Sequence, residues 1–394
     1  MIRQILYFLP SLLFSFDFQG YVGVEYRAFE NDNTLKRESS RALEAKLELK
    51  KSESEYSFYM NSEFLKDKDE NSRSYARVNE LYLTKHFENS DFSLGRRIYF
   101  MGALEVLNPV DVISRQNFER DLLDDRYRIG TYMALYEHYL DSMQVSFMSY
   151  GSERADEFGD IYSPYNVFSF PLSNDIESQK NDKRASFMLK VQGTLDEEYA
   201  LDYAFGLIRG YDTQRTFTQE LKQKQWLATT AFIYNTLAYE NSLLKLEAKL
   251  SDIDKNSEAQ MDDHLYVGVG VEHTLAAIYK SMDVGLLLEY YNWITLKEKY
   301  STPDKLMVLM QNDLFVGLRI ALNNASSTEI VGGAIFDIDD SSEQSYYAQI
   351  KSRIFDTFMV DLDVRHLNPS DSRQTLMALM GEHSRFTLNL RYYF

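Results

Sequence analysis

The chain has 394 residues, no cysteine, and a formal net charge of −18 that comes from 60 acidic and 42 basic side chains. The lack of cysteine excludes disulfides, thiolate catalysis and cysteine-bound zinc. The acidic balance argues against nucleic acid as a partner, because that partner needs a basic surface. With 29 tyrosines, 25 phenylalanines and only 6 prolines, the composition favours β-strands. The mean hydropathy of −0.39 fits a barrel with a polar lumen, because only alternate residues of such a barrel face lipid.

The first residues have the pattern of a targeting segment. Arg3 provides a positive charge, and an apolar run of about a dozen residues follows, which is too short to cross a bilayer as a helix. Pro10 interrupts this run, and Ser15 stands at a weak cleavage site. We therefore predict a signal peptide over residues 1–15 and a barrel over residues 16–394. A buried first strand is the alternative interpretation of the apolar run.

Beyond the apolar run, short segments of alternating apolar and polar residues follow one another to the last residue. This period of two predicts strands with one apolar face each. We predict about eighteen strands, with sixteen as the alternative. Their predicted starts lie near residues 16, 41, 55, 74, 91, 127, 142, 184, 198, 224, 241, 264, 279, 311, 326, 344, 356 and 384.

The connectors between these segments are alternately short and long. Short ones include 51–54, 139–141 and 195–197, and long ones include 99–126, 151–183 and 294–310. This asymmetry is typical of transmembrane barrels, which have short periplasmic turns and longer outer loops. A soluble β-sandwich has no reason to keep it. The predicted fold class is therefore all-β, a transmembrane antiparallel β-barrel.

The polar faces of the strands carry charges of both signs, and in a barrel they line the lumen. The basic residues are Arg27, Lys46, Lys190, Lys245, Lys249, Arg319, Lys351, Arg353, Arg365 and Arg391. The acidic ones are Glu25, Glu44, Glu48, Asp202, Glu247, Glu272, Glu289, Asp361 and Asp363. Because the two sets are nearly matched, the charge preference for a solute stays open.

The segment 92–127 interrupts the alternation and is rich in charge. A barrel of sixteen to eighteen strands encloses an aqueous channel, into which such a loop can fold. Opposed charges in a narrow passage set ion preference. We predict that this loop folds inward after strand five, although a solvated outer loop is the alternative. The predicted pore constriction consists of Arg96, Arg97, Asp111, Arg115, Arg120, Asp121, Asp124, Asp125, Arg126 and Arg128.

The same segment resembles a signature of a poorly characterised family of bacterial outer-membrane channels. That signature is a strand ending G-R-Q, then W-G, then N-P-x-D-V. Here it corresponds to Gly95-Arg96-Arg97, Met101-Gly102 and Asn108-Pro109-Val110-Asp111-Val112, preceded by the lead-in Asn79-Glu80-Leu81-Tyr82-Leu83. Arg97 replaces the glutamine, Met101 replaces the tryptophan, and Ser114-Arg115 replaces a second N-P pair. The resemblance implies a porin-like barrel.

The last ten residues alternate without interruption and end on phenylalanine. One face carries Phe386, Leu388, Leu390, Tyr392 and Phe394. This segment resembles the terminal strand of bacterial outer-membrane proteins, whose final aromatic residue is read by the barrel assembly machinery. We therefore predict that these five residues form an assembly signal.

The predicted function is a porin-like channel for passive diffusion of small hydrophilic solutes or ions across the outer membrane of a Gram-negative bacterium. We find no P-loop, and the acidic segment 337–343 fits no full calcium ligand set, so neither cofactor nor metal is expected. Outer-membrane lipid and lipopolysaccharide are the other expected partners, with a homotrimer as a possible assembly.

Two other classes remain as alternatives. The first is a barrel hydrolase, for which the nearest grouping is His366, His383, Ser370, Asp371 and Ser384. The second is a structural or adhesive surface barrel, which requires a plugged lumen. We expect no enzyme, because no histidine stands in a known catalytic motif.

Overall fold

The computed structural model describes residues 16–117, 128–151, 155–156, 158–164, 166, 173, 175–180, 184–196, 199–218, 220–254, 261–296, 308–370 and 375–394. The predicted signal peptide at 1–15 lies outside this part. So do five of the predicted constriction residues, Arg120, Asp121, Asp124, Asp125 and Arg126, and Asp371 of the hydrolase grouping.

Eighteen long strands form one sheet that closes on itself. They are β1 (Asp17–Asn31), β2 (Ser39–Ser52), β3 (Tyr56–Asp67), β4 (Tyr75–His86), β5 (Ser90–Arg97), β6 (Thr131–Tyr139), β7 (Met143–Gly151), β8 (Ala185–Asp196), β9 (Ala200–Phe217), β10 (Gln223–Tyr239), β11 (Ser242–Ile253), β12 (His264–Tyr279), β13 (Met282–Thr295), β14 (Asn312–Ala321), β15 (Glu329–Asp337), β16 (Gln344–Ile354), β17 (Phe358–Asn368) and β18 (His383–Tyr393). Each strand is antiparallel to its neighbours, and β1 pairs with both β2 and β18. The predicted antiparallel barrel is confirmed, with eighteen strands rather than sixteen.

Three short strands lie outside this ring. Arg115–Gln116 pairs with Arg128–Ile129 in a two-stranded ribbon, and Ile176–Ser178 lies parallel to the start of β10. The ribbon explains the largest error in the predicted strand starts. The sixth strand was expected near residue 127, but β6 begins at Thr131 because residues 128–129 pair with the loop instead. A five-residue helix, α1 (Leu376–Met380), precedes β18. Among the described residues, no helix has the length and apolar character needed to span a bilayer.

The two faces of the sheet have opposite character. The outer face is an exposed apolar band around the barrel that includes Phe18, Val24, Leu43, Phe64, Leu83, Leu94, Phe147, Leu189, Leu207, Leu246, Val271, Leu288, Val316 and Leu390. The inner face buries charge, including Glu25, Arg27, Glu44, Lys190, Lys245, Glu247, Lys249, Glu289, Asp361 and Asp363. This arrangement is the reverse of a soluble domain and is the one that lipid requires.

The connectors divide the barrel into a short-turn end and a long-loop end. The turn between β10 and β11 has only two residues, and Glu240 adopts a φ of 50° there, as a two-residue hairpin with right-handed twist requires. The turn between β12 and β13 is equally short, with Lys280 at 55°. The long connectors, 98–130 and 152–184 among them, all lie at the other end. The predicted alternation of connectors is therefore confirmed.

We expect the purified protein to need detergent and to migrate faster on a gel before boiling than after it. A closed ring has no edge strand at which unfolding begins, so the barrel resists detergent until it is heated. Gel migration with and without boiling measures this, together with protease resistance in membranes. A monomer that stays soluble without detergent contradicts the membrane barrel.

Candidate channel and its infolded loop

Both ends of the connector 98–130 are fixed to the inner face of β4. A β-bulge leaves Asn79 unpaired between Val78 and Glu80, and both Asn79 and Glu80 are buried. The Asn79 amide donates to the carbonyl of Arg128 (2.8 Å) and accepts from the backbone N–H of Gly130 (3.0 Å). One oxygen of Glu80 accepts from the backbone N–H of Ile98 (2.9 Å). The bulge therefore turns two polar side chains inward where one would be expected, and together they hold the entry and exit of the loop.

The segments of the loop before and after its tip fill one side of the barrel with an apolar core. Their side chains pack against the inner faces of β6 to β10, and the cluster contains Tyr99, Met101, Val110, Ile113, Met133, Leu135, Met148, Tyr150, Met188, Ile208 and Phe232. Apolar residues on an inner barrel face are costly when water surrounds them. The loop covers them, so this side of the lumen is occupied by protein.

The loop then crosses to the opposite wall, where two carboxylates bind its backbone. Glu247 of β11 accepts hydrogen bonds from the N–H groups of Ala103 (2.5 Å), Leu104 (3.0 Å) and Val110 (3.3 Å). Glu289 of β13 accepts from Glu105 (2.8 Å) and Val106 (3.2 Å). Five loop amides thus find partners on strands that lie far away in the sequence. The predicted infolding is confirmed for the part of this loop that the structure describes, residues 98–117.

Two glycines on β12 leave space for the tip of the loop. Gly268 and Gly270 both face inward, and a β-carbon at either position would overlap the side chain of Leu104. Leu104 also packs with Tyr266 and Trp293 in a second buried apolar cluster. The two glycines are needed because the backbone of the wall must lie against the loop without side chains between them.

The predicted constriction residues of the described part have different roles. Asp111 and Arg128 form a close ion pair (2.5 Å) inside the loop, and Asp111 also accepts from the N–H of Met101 (3.2 Å). Arg96 is buried and donates to the carbonyl of Gly130 (2.9 Å). These three side chains hold the loop in shape.

The other two, Arg115 and Arg97, are partly exposed. Arg115 donates to the carbonyl of Thr213 (3.1 Å) and lies 3.9 Å from Asp156, at a cavity of about 190 Å³ on the long-loop side of the infolded segment. Arg97 is half-buried, and its guanidinium stacks over the ring of Tyr82 at 5.0 Å. That these residues constrict the pore stays a prediction.

Sequence reasoning missed Glu105, which stands at the tip of the crossing loop. Its carboxylate pairs with Arg319 of β14 (2.7 Å) and lies 3.6 Å from Lys245 of β11. The strand pattern placed Arg319 and Lys245 in the lumen, but Glu105 lies in a loop without periodicity. Only its position as a single charge between apolar neighbours in an inward loop could have suggested it.

Open space remains between the loop tip and the inner faces of β14 to β17. This space of about 360 Å³ is lined by three basic side chains, Arg319, Lys351 and Arg365, and three acidic ones, Glu105, Glu329 and Asp363. A second space of about 610 Å³ lies on the short-turn side of the loop, with Gln144, Gln192, Thr194 and Thr236 among its lining residues. The lumen is therefore divided into an apolar side that the loop fills and a charged side that stays open.

At the long-loop end, the connector between β7 and β8 contacts the loop between β1 and β2. Arg37 forms two hydrogen bonds with the carboxylate of Asp160 (2.7 Å each), and Lys36 donates to the carbonyls of Ile161 and Asn166. The Arg37 guanidinium lowers the pKa of Asp160, and burial lowers that of Lys36. A lowered carboxylate pKa means that the contact is stable at neutral pH and is lost as the pH falls through that lowered value.

The described members of the predicted hydrolase grouping do not come together in one site. Ser370 donates to the Asp340 carboxylate, and the ring of buried His383 packs on Phe29 at 5.6 Å. His366 instead bonds Ser384 (2.8 Å) on the outer face of the wall. These contacts do not join the two histidines to one serine.

No protein-family model and no curated protein matches the chain. Solved structures of outer-membrane porins do match it.

Acinetobacter baumannii OccAB4 is 9% identical with a TM-score of 0.57, and 96% of this chain aligns with 98% of that one. Pseudomonas aeruginosa OpdO is 12% identical with a TM-score of 0.56, over 97% and 98% of the two chains. Pseudomonas aeruginosa OccK11 (OpdR) is 8% identical with a TM-score of 0.55, over 96% of each. The chain has the fold of these porins. The likeness is one of fold, and it extends over nearly the whole of each chain.

Proposed function

We propose that the chain forms an outer-membrane channel for the passive diffusion of small hydrophilic solutes. The observation that carries this proposal is the divided lumen, with one side filled by the loop core and the other open and lined by charge. A loop that crosses a wide barrel and stays fixed at both walls narrows the passage without sealing it. Solute size is then limited by the space beside the loop tip, and no energy source is required.

The outer surface supports the location. The exposed apolar band suits the hydrocarbon core of a bilayer, and the porin fold occurs in outer membranes. In this orientation the short turns face the periplasm, and the long loops face lipopolysaccharide. Assembly by the barrel machinery and association into a trimer are further proposals, and molecular mass measured in detergent tests the trimer.

A structural or adhesive barrel is the second candidate, since it requires a lumen blocked by protein. The open spaces on both sides of the loop favour the channel over this alternative. Diffusion also needs no catalytic group, so the proposal does not require the chain to be an enzyme.

The decisive experiment is single-channel recording of purified protein in planar bilayers. A channel gives discrete current steps that grow with salt concentration and close when a large neutral polymer enters the mouth. Protein that shows heat-modifiable migration, and is therefore folded, but gives no steps contradicts the proposal and favours the blocked barrel.

We expect the lumen to be only weakly ion-selective, because three basic and three acidic side chains line the open side. Replacing Arg319 and Lys351 with glutamine should shift selectivity towards cations, and replacing Glu105 and Glu329 with glutamine should shift it towards anions. Charges in a confined passage act on ions more strongly than exposed ones. Reversal potentials across a salt gradient measure both shifts.

Arg41→Gln is the matched control, because Arg41 is 54% exposed and pairs with Asp69 at the long-loop end of the barrel. It should leave the reversal potential unchanged at 0.1 M salt, where exposed charges are screened within roughly 10 Å. Neutralising Arg115, Arg120 and Arg126, or Asp121, Asp124 and Asp125, tests the loop charges in the same way. If only these variants change selectivity, the constriction lies at these six residues rather than at Glu105 and its partners.

A further inference from the structure

A serine, a histidine and an aspartate form a hydrogen-bonded chain inside the barrel at its short-turn end. Ser57 lies at the start of β3, His86 ends β4, and Asp91 lies at the start of β5. The Oγ atom of Ser57 is 3.1 Å from Nε2 of His86, and Nδ1 of the same ring is 2.8 Å from Oδ1 of Asp91. The channel function uses none of these three groups.

Sheet register explains why the three side chains meet. His86 is directly opposite Asp91, and Ser57 is opposite Thr84, two residues before His86 on the same face. Ser57 and His86 are therefore diagonal cross-strand neighbours, which long side chains can bridge. The side chains of Thr84 and Ser93 on this face bond each other at 2.8 Å, so the inner surface here is polar and closely paired.

The outer members of the chain are also held in place. The second carboxylate oxygen of Asp91 accepts from the hydroxyl of Tyr139 on β6 (3.0 Å). This contact fixes the carboxylate, which in turn orients the imidazole. The side chains of His86 and Asp91 are 33% and 23% exposed, so a solute in the mouth of the lumen can reach them.

The order of contacts is that of a nucleophile, a base and an orienting carboxylate. With Asp91 accepting from Nδ1–H, the neutral ring presents Nε2 as an acceptor to the hydroxyl of Ser57. The other neutral tautomer, with the proton on Nε2, would leave no acceptor for the serine proton and no donor for the Asp91 carboxylate. We propose that Ser57, His86 and Asp91 form a hydrolytic site for carboxylic esters at the short-turn mouth of the channel.

The reaction needs only the ester and water. Ser57 Oγ bonds to the carbonyl carbon while its proton passes to Nε2 of His86. The bond from that carbon to the alcohol oxygen breaks, and the leaving alkoxide takes the proton from Nε2. Water then attacks the acyl-serine and gives a proton to His86, and the bond between carbon and Oγ breaks as Oγ regains that proton.

The surroundings restrict the class of substrate. Ser57 stands between Ser52 and Thr84 in the sheet ladder, where backbone N–H groups already have strand partners. Backbone N–H groups that are engaged in the ladder cannot also stabilise a carbonyl oxygen at Ser57. The loss of one donor to such an oxygen commonly costs about 10²–10³-fold in rate. We therefore expect hydrolysis of small aryl esters, which have good leaving groups, and none of amides.

The experiment combines covalent labelling with ester hydrolysis by the full chain in detergent. A fluorophosphonate should label Ser57, as located by mass spectrometry of the digested protein. Hydrolysis of p-nitrophenyl acetate should fall by about 10²-fold in Ser57→Ala and His86→Gln, the lower end of what a positioned base contributes. In Asp91→Asn the turnover number should fall with little change in KM, because the carboxylate orients the base without touching the ester.

Ser384→Ala is the matched control. Ser384 also bonds a histidine, His366 (2.8 Å), but within the described part of the chain no carboxylate bonds that ring. This variant should keep full labelling and hydrolysis. Heat-modifiable migration shows that each variant is folded. If the folded wild type is not labelled at Ser57, or hydrolyses the ester no faster than Ser57→Ala, the proposal is wrong.

Discussion

Replacing Glu247 with alanine is expected to raise single-channel conductance and to make the open current noisy. Glu247 is fully buried and accepts hydrogen bonds from three loop amides. Without it, these amides lose their acceptors inside the barrel. Each buried donor that is left without an acceptor costs about 1 kcal/mol or more of stability. The loop tip should leave the wall, so the passage beside it becomes wider and variable. Bilayer recordings measure the current, and the temperature of the gel shift measures the loss of stability.

Two matched variants separate the loop contact from general damage to the wall. Glu247→Gln keeps an oxygen acceptor and should change conductance much less. Leu246→Ala alters the neighbouring residue of β11, which faces outward, and should leave conductance unchanged. Glu289→Ala should act in the same direction as Glu247→Ala, with a smaller effect because it releases two amides. Wild-type conductance in folded Glu247→Ala protein would show that the loop does not limit the current.

Replacing Phe394 with aspartate is expected to reduce the amount of assembled barrel severely. The backbone N–H and carbonyl of Phe394 both bond Gly20 (3.1 and 3.0 Å), and its ring packs on Phe18 at 5.5 Å. Phe394 therefore lies at the seam where β18 meets β1, and its side chain is exposed on the lipid side. A charge at this position opposes insertion and weakens the closure of the ring. The heat-modifiable fraction in outer membranes measures assembly.

Tyr393→Ala is the control, because Tyr393 precedes Phe394 and pairs with Tyr21 of β1. It should assemble at near wild-type levels. Any Phe394→Asp protein that does assemble should conduct with unchanged selectivity, since this side chain lies outside the lumen. Normal membrane levels of Phe394→Asp would contradict the assembly role that we predict for Phe386, Leu388, Leu390, Tyr392 and Phe394.

The alternation of apolar and polar residues was sufficient to predict the strands of the barrel and their two faces. The spacing of apolar residues in the last strand placed Leu388 and Leu390 on the lipid face, where both are exposed. The same period placed Glu247 and Glu289 in the lumen, where both are buried. This works because every residue of a barrel strand faces either lipid or lumen, so local sequence carries the information. The place where the alternation stopped likewise predicted the infolded loop.

The sequence alone could not predict the contacts of that loop. Its amides bond Glu247 and Glu289, which lie more than a hundred residues later, and no local period links them. The same holds for Ser57 and Asp91, which are brought together only by the register of three strands and the bulge at Asn79. The strand pattern alone therefore determined the barrel and the direction of its side chains. Closure of the ring and the path of one loop across it decided where the passage lies, because both depend on contacts between distant parts of the chain.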